Sequence, residues 1–110
     1  MRPTAHLDTF VLDNLPPVEM QPDFINLEAL GYPARLNATV ELVDRHVREG
    51  RGERVALRAP DLTWTCADLS RVIDRMAHML VSRLGLVPGN RVLLRAANTP
   101  AMVALYLASI

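Results

Sequence analysis

The segment NTPAMVALYLASI, residues 98–110, restricts the fold more than any other part of the sequence. Thr99 is a good helix cap, and Pro100 suits the first helical position, where a missing N–H costs nothing. On a helical wheel the large apolar side chains sweep more than half the circumference: Met102, Val103, Leu105, Tyr106, Leu107 and Ile110. A helix that is apolar on every side belongs inside a larger body, so we expect other protein to cover residues 101–110.

The same helix predicts self-association of the chain taken by itself. Burying one large apolar side chain contributes roughly 1.5–3 kcal/mol, so leaving this set exposed would be costly. Ala101, Ala104 and Ala108 fall together on the other side of the wheel, where a neighbouring helix could approach closely. We therefore expect two copies to associate through residues 101–110.

The residues before this helix predict an α/β fold. Residues 1–22 hold four prolines, which remove backbone donors and disfavour helix, so an extended N-terminal lead is expected there. Residues 23–110 are predicted to form an incomplete α/β subdomain. Its order is helix, β-hairpin, long helix, buried strand and a truncated final helix.

Two helices are predicted in the first half of this subdomain. DFINLEALG (23–31) suggests a short helix ended by Gly31. NATVELVDRHVREG (37–50) has Asn37 as its cap and Gly50 as its stop, with apolar residues at steps of three and four.

The second half predicts a strand, a long helix and another strand. RVALRAPDLTWT (54–65) alternates apolar and polar residues around a Pro-Asp corner, which indicates a hairpin. Thr65 and Asp68 have capping-box spacing at the start of a helix that Gly85 ends. Its apolar stripe is Leu69, Val72, Ile73, Met76, Leu80 and Leu84. RVLLRA (91–96) holds a continuous apolar run, typical of a strand covered on both faces, so a right-handed parallel unit is expected.

Composition excludes several classes of partner. Twelve basic and twelve acidic residues cancel, which argues against nucleic acid or an anionic membrane. The longest apolar run is too short to span a bilayer. Cys66 is the one cysteine, so no internal disulfide can form, and a reducing compartment, the cytoplasm, is favoured.

The search for chemistry finds no catalytic, cofactor-binding or metal-binding residue that we would assign. The five glycines lie at predicted turns and helix ends, not in a phosphate-binding loop. Cys66 lies in a first helical turn, where its thiol could be activated, but we interpret it as structural. The remaining candidates carry no partner at a useful spacing and are interpreted as structural or solvated: His46, His78, Met76, Met79, Asp61 and Asp68.

Two stretches resemble the opening of adenylate-forming (AMP-binding) enzymes. RVALRAPDLTWTCADLSRVIDRMAHMLV (54–81) resembles that family's hairpin and "TYxEL" helix start, with Thr65 and Leu69 matching. GLVPGNRVLLRAANTP (85–100) is similar to the family's "G(V)xxGDRVxxxxxNSPE" stretch. Cys66, Asn90 and Ala101 depart from the common aromatic, Asp and Glu residues.

The N-terminal part of the sequence narrows the resemblance to one group within this family. LPPVEMQPDFINLEALGYPARLNATVELVDRHVREGRGERVAL (15–57) is similar to the start of benzoate- and 2-aminobenzoate-type CoA ligases. The resemblance implies a parent enzyme that uses ATP and Mg²⁺ to convert an aromatic carboxylate to an acyl-adenylate, and then transfers the acyl group to coenzyme A. It also implies that the catalytic machinery lies downstream, so these 110 residues are expected to be inactive alone.

Three other interpretations stay open. Within the family, the parent could be a fatty-acyl-CoA ligase or an adenylation domain of a peptide synthetase. Outside it, the chain could be a free-standing α/β interaction module that buries its last helix in a partner.

Overall fold

A computed structural model describes residues 4–23 and 28–110. Their helices and strands, in chain order, are α1 (Phe10–Asp13), α2 (38–51), β1 (Val55–Ala59), β2 (Leu62–Thr65), α3 (Cys66–Ser82) and α4 (Pro100–Ser109). The mixed α/β class predicted from the sequence is confirmed. The described residues form two compact units: one runs up to Leu36 and includes Val87–Arg91, and the other holds Asn37–Leu86 and Val92–Ile110.

The first unit is mostly irregular. Besides α1 it has two short 3₁₀ turns, Val18–Met20 and Glu28–Leu30. The second turn ends at Gly31, where φ is 65°. Most of the helix predicted over 23–31 lies outside the described residues, since residues 24–27 are not among them.

Helix α2 begins and ends where the sequence predicts. The Asn37 side chain caps it by accepting the Val40 N–H at 2.9 Å. Two stretches, Val40–Asp44 and Val47–Arg51, are wound as π-helix, and the left-handed backbone of Gly50 (φ 78°) lies at the end of the second. Arg45 pairs with Glu41 and with Glu49, one turn away on each side. These exposed pairs contribute only a few tenths of a kcal/mol each, about 0.3–0.5.

The predicted hairpin is present, and its first strand has an irregular register. β1 and β2 pair antiparallel across the Pro60–Asp61 turn, with Leu57 opposite Trp64. Val55 and Leu57 alternate with Ala56 and Arg58, so a regular strand would place Val55 and Leu57 on the same face. A β-bulge between them shifts the register, so Ala56 and Leu57 pack against the core while Val55 is exposed. An extra residue in one strand reverses the side-chain alternation beyond it.

The capping box at the start of α3 is confirmed. The Thr65 hydroxyl accepts the Asp68 N–H at 3.1 Å, and the Asp68 carboxylate accepts the Thr65 N–H at 3.0 Å. Leu69, Ile73 and Leu80 are buried along the predicted stripe. Leu84 is 62% exposed because the helix ends at Ser82, two residues before it.

The strand predicted at 91–96 is not formed in the described structure. Val92 and Leu94 are half-buried and Leu93 is 94% exposed, so one face of an extended segment turns inward and the other does not. The hairpin is the only sheet among the described residues, and 91–96 is not hydrogen-bonded to it. A strand exists only by pairing, so the predicted parallel unit and two-sided cover are wrong for this structure.

Helix α4 packs on α3, and this contact completes the core. Thr99 caps α4 by accepting the Met102 N–H at 3.3 Å, as predicted. Ala104 has no exposed surface, and it clusters with Val43, Leu69 and Ile73. The partly buried residues packed around this cluster are Ala56, Leu57, Trp64, Val72, Met76, Leu107 and Ala108.

The alanine side of α4 is therefore used within the chain. Ala104 and Ala108 lie against α4's own neighbours, so the close approach predicted between two copies occurs here within one chain. Tyr106 and Ile110 stay 55% and 51% exposed.

We predict that Thr65→Ala lowers the free energy of unfolding by about 1 kcal/mol, because the Asp68 N–H loses its acceptor in the first turn of α3. Thr65→Ser keeps the hydroxyl and is the matched control. Urea titration followed by circular dichroism measures both. Equal midpoints for the alanine variant and the unmodified chain would contradict the role of the cap.

Candidate functional site

One concavity of the second unit lies where β2 meets α3. It has a volume of about 510 Å³ and is lined by Trp64, Asp68, Arg71, Val72, Asp74 and Arg75. The capping box places Asp68 at its rim, and the i, i+3 and i+4 spacing of α3 brings the other polar side chains to the same face. The site combines one indole with two carboxylates and two guanidinium groups.

Two of the four charged side chains of this concavity, Asp68 and Arg71, pair with each other. Asp68 accepts from the Thr65 N–H, from the Thr65 hydroxyl at 2.9 Å and from Arg71. These hydrogen bonds, with the Thr65 N–H the largest contribution, lower the pKa of Asp68 from its usual value. A carboxylate that is stabilised as an anion is a poor proton donor or acceptor near neutral pH. The hydrogen bonds of Asp68 therefore support a role in helix capping rather than in acid–base catalysis.

Cys66 and the two helical histidines do not meet. Cys66 is half-buried in the first turn of α3, where its N–H donates to the Arg54 carbonyl at 2.8 Å. His46 Nδ1 accepts from Arg51 Nε at 3.0 Å. His78 is exposed and lies 3.3 Å from the Ser82 hydroxyl, one turn further along its own helix. No nucleophile–base pair is formed by these three residues.

The other candidates from the sequence are also separate. Met76 packs against the core, as predicted, but Met79 is 39% exposed and does not fill the core, because it lies off the buried stripe of α3. Asp61 is exposed at the hairpin turn, whereas Asp68 is part of the capping box at the start of α3. Within the described part of the chain, no group of three or more His, Cys, Asp or Glu side chains is placed to hold a metal ion.

The glycines do not build a phosphate cradle. Gly31, Gly50, Gly85 and Gly89 have positive φ and lie singly in four different turns. A phosphate loop needs successive backbone N–H groups that converge on one anion. These four glycines therefore do not form such a loop, and no reaction step is assigned to the residues described here.

Two polar contacts that the sequence analysis missed connect the helices. Thr39 is buried, and its hydroxyl donates to the Leu107 carbonyl at 2.6 Å. The Ser70 hydroxyl donates to Asp44 Oδ1 at 2.7 Å and joins α3 to α2. A hydroxyl after a helix start gives no sequence signal for a partner 68 residues away.

None of the helices in the described residues combines the length and the apolar character needed to cross a bilayer.

Comparisons with known proteins find a family that matches most of the described residues. The family described as "AMP-binding enzyme" matches residues 34–110. A 4-hydroxybenzoate–CoA/benzoate–CoA ligase from Rhodopseudomonas palustris (strain ATCC BAA-98 / CGA009) is 38% identical over 63 residues. That alignment covers 57% of this chain and 12% of the relative, so the chain spans a small part of the relative's length. No solved structure matches the chain.

We predict that Asp68→Asn destabilises the chain near pH 7 and that this difference disappears in acid. The pKa of Asp68 is lowered by folding, so its stabilising effect is complete above the unfolded value of about 4 and is lost as the pH falls through the folded value. Urea titrations from pH 7 to pH 2 measure the effect.

Asp74→Asn is the control for this prediction, since it removes an exposed carboxylate from the same helix and the same concavity. If the difference in unfolding free energy between Asp68→Asn and the unmodified chain stayed constant with pH, the stabilising role of the ionised Asp68 carboxylate would be contradicted.

Proposed function

This chain belongs to the AMP-binding enzyme family, and on that premise we propose that it forms the N-terminal α/β part of an aryl-CoA ligase. The observation that carries the proposal is the 38% identity to a ligase named for 4-hydroxybenzoate and benzoate. Residues 1–22 would be the lead and 23–110 the incomplete subdomain. The whole enzyme would activate an aromatic carboxylate with ATP and Mg²⁺ and transfer the acyl group to coenzyme A.

The part played by these residues is that of a scaffold. The buried cluster of Val43, Leu69, Ile73 and Ala104 holds α2, α3 and α4 together. Thr65 and Asp68 form a helix cap, and Thr39 forms a hydrogen bond between helices. We propose that the adenylate-forming and thioester-forming groups are supplied by other parts of the enzyme.

We further propose a cytoplasmic location. The support is the lone Cys66, because a protein that uses no disulfide pairing suits a reducing compartment. ATP and coenzyme A as substrates are consistent with that location.

The proposal is tested by pyrophosphate exchange into ATP, catalysed by the native protein that carries these residues. We expect exchange that depends on benzoate or 4-hydroxybenzoate and is at least about tenfold slower with hexadecanoate or an amino acid, a ratio that corresponds to about 1.4 kcal/mol. Faster exchange with hexadecanoate would support a fatty-acyl ligase, and faster exchange with an amino acid would support an adenylation domain. No exchange with any carboxylate would contradict the proposal, and exchange by the 110-residue chain alone would contradict the scaffold role.

We also propose that the 110-residue chain by itself associates with a second copy through α4. Tyr106 and Ile110 are exposed one helical turn apart, and an exposed apolar patch on a regular helix is a common interface. A two-fold arrangement is the simplest closed one, because the same patch then covers itself. Since Ala104 and Ala108 are occupied by the chain's own core, the contact would use the opposite side of α4.

We predict a dimer by light scattering after size exclusion, and a shift to monomer when Tyr106→Glu is combined with Ile110→Glu. Leu107 is left unchanged because it packs against the core, where a charge would unfold the chain. Arg48→Glu, on the exposed face of α2, is the control and should leave the dimer intact. A clean monomer at high micromolar concentration, with normal helix content by circular dichroism, would contradict self-association.

A further inference from the structure

The N-terminal segment is hydrogen-bonded to the turn that follows α3. The N–H groups of Leu7 and Asp8 both donate to the Pro88 carbonyl, at 2.8 and 3.0 Å. These residues are about eighty positions apart in sequence but belong to the same compact unit. Two donors on one carbonyl hold the segment at a defined place on the turn.

Side-chain hydrogen bonds restrict which residue types can form this contact, whereas the backbone hydrogen bonds do not. Asn90 Nδ2 donates to Asp8 Oδ2 at 2.9 Å, while Asn90 Oδ1 accepts the Val87 N–H at 3.0 Å. The other oxygen of Asp8, Oδ1, accepts the Phe10 N–H at 3.0 Å. An amide at position 90 can donate and accept at once, whereas a carboxylate there could only accept.

Gly89 is required by the same contact. Its φ is 98°, a left-handed conformation that other residues rarely adopt. A Cβ at this position would also collide with the Asp8 carbonyl oxygen and would lie 3.0 Å from His6 Cβ. The missing side chain therefore lets the two segments approach each other.

Hydrogen bonds to Asp8, and to a smaller degree nearby positive charges, favour its ionised form. The pKa of Asp8 is lowered by the Phe10 N–H first and the Asn90 amide second, with smaller contributions from the positive charges of Arg91 and His6. The Arg91 guanidinium carbon also lies 4.1 Å from the centre of the Phe10 ring, a cation–π distance. A second carboxylate opposite Asp8 would meet an anion that its surroundings already stabilise.

We propose that Asp8 and Asn90 form a clasp, together with the Val87 and Pro88 backbone, that fixes the N-terminal segment on the 87–91 turn and requires one amide and one carboxylate in the pair. The clasp is a conformational device built into this unit. It does not depend on the reaction proposed for the whole enzyme, since each contact lies within the described residues.

Swapping the two side chains between positions 8 and 90 tests the clasp. Asn90→Asp opposes two carboxylates, and it should reduce protection of the Leu7 and Asp8 amides from hydrogen exchange by at least about tenfold. The double variant, Asp8→Asn with Asn90→Asp, should restore protection. In it, residue 8 donates to residue 90, and the two oxygens that accept from Phe10 and Val87 are kept.

Hydrogen exchange of each backbone amide is measured by NMR near pH 7. The amides of Leu69 and Ile73 in the buried cluster report whether each variant is folded, and Asn98→Asp adds the same charge at an exposed site as a control. Unchanged protection at Leu7 and Asp8 in Asn90→Asp would overturn the proposal. So would a double variant that is no better protected than Asn90→Asp, provided that Leu69 and Ile73 keep their protection.

Discussion

The contact between α4 and α3 through Ala104 is the one on which the second unit depends. Ala104 has no exposed surface, and it brings α4 against the buried stripe of α3, where Leu69 and Ile73 also meet Val43 of α2. A larger side chain at position 104 would separate the helices, because interiors are packed too closely to accept added volume cheaply. The hairpin then covers one side of this cluster with Ala56, Leu57 and Trp64.

Local signals in the sequence predicted the ends of helices well. Asn37, Thr65 and Thr99 all act as the caps their side chains suggest, since a cap is decided within three residues of itself. The bulge in β1 and the unpaired 91–96 segment were not predictable in this way. Both depend on which residues lie opposite, and apolar alternation alone does not determine a pairing partner or its register.

The contacts between distant residues were the least predictable. The partner of Thr39 is a backbone carbonyl, which every residue carries, so no pattern in the sequence marks it. Asn90 appeared in the sequence only as a departure from a common Asp, and its contact with Asp8 gives that departure a physical reason. No catalytic residue is assigned from motifs, because phosphate loops and metal sites have strict spacings that this sequence does not contain, and this assignment stays a prediction.

The hydrogen bond from Thr39 to the Leu107 carbonyl has a consequence for how the second unit folds. Closing the 68-residue interval between them costs chain entropy before the contact contributes any free energy. Helices α2 and α3 can begin from local contacts, whereas α4 is short and gains its stability by docking on both of them. We therefore expect α4 to join late, in a step whose rate is set by loop closure rather than by the intrinsic helix-forming tendency of its residues.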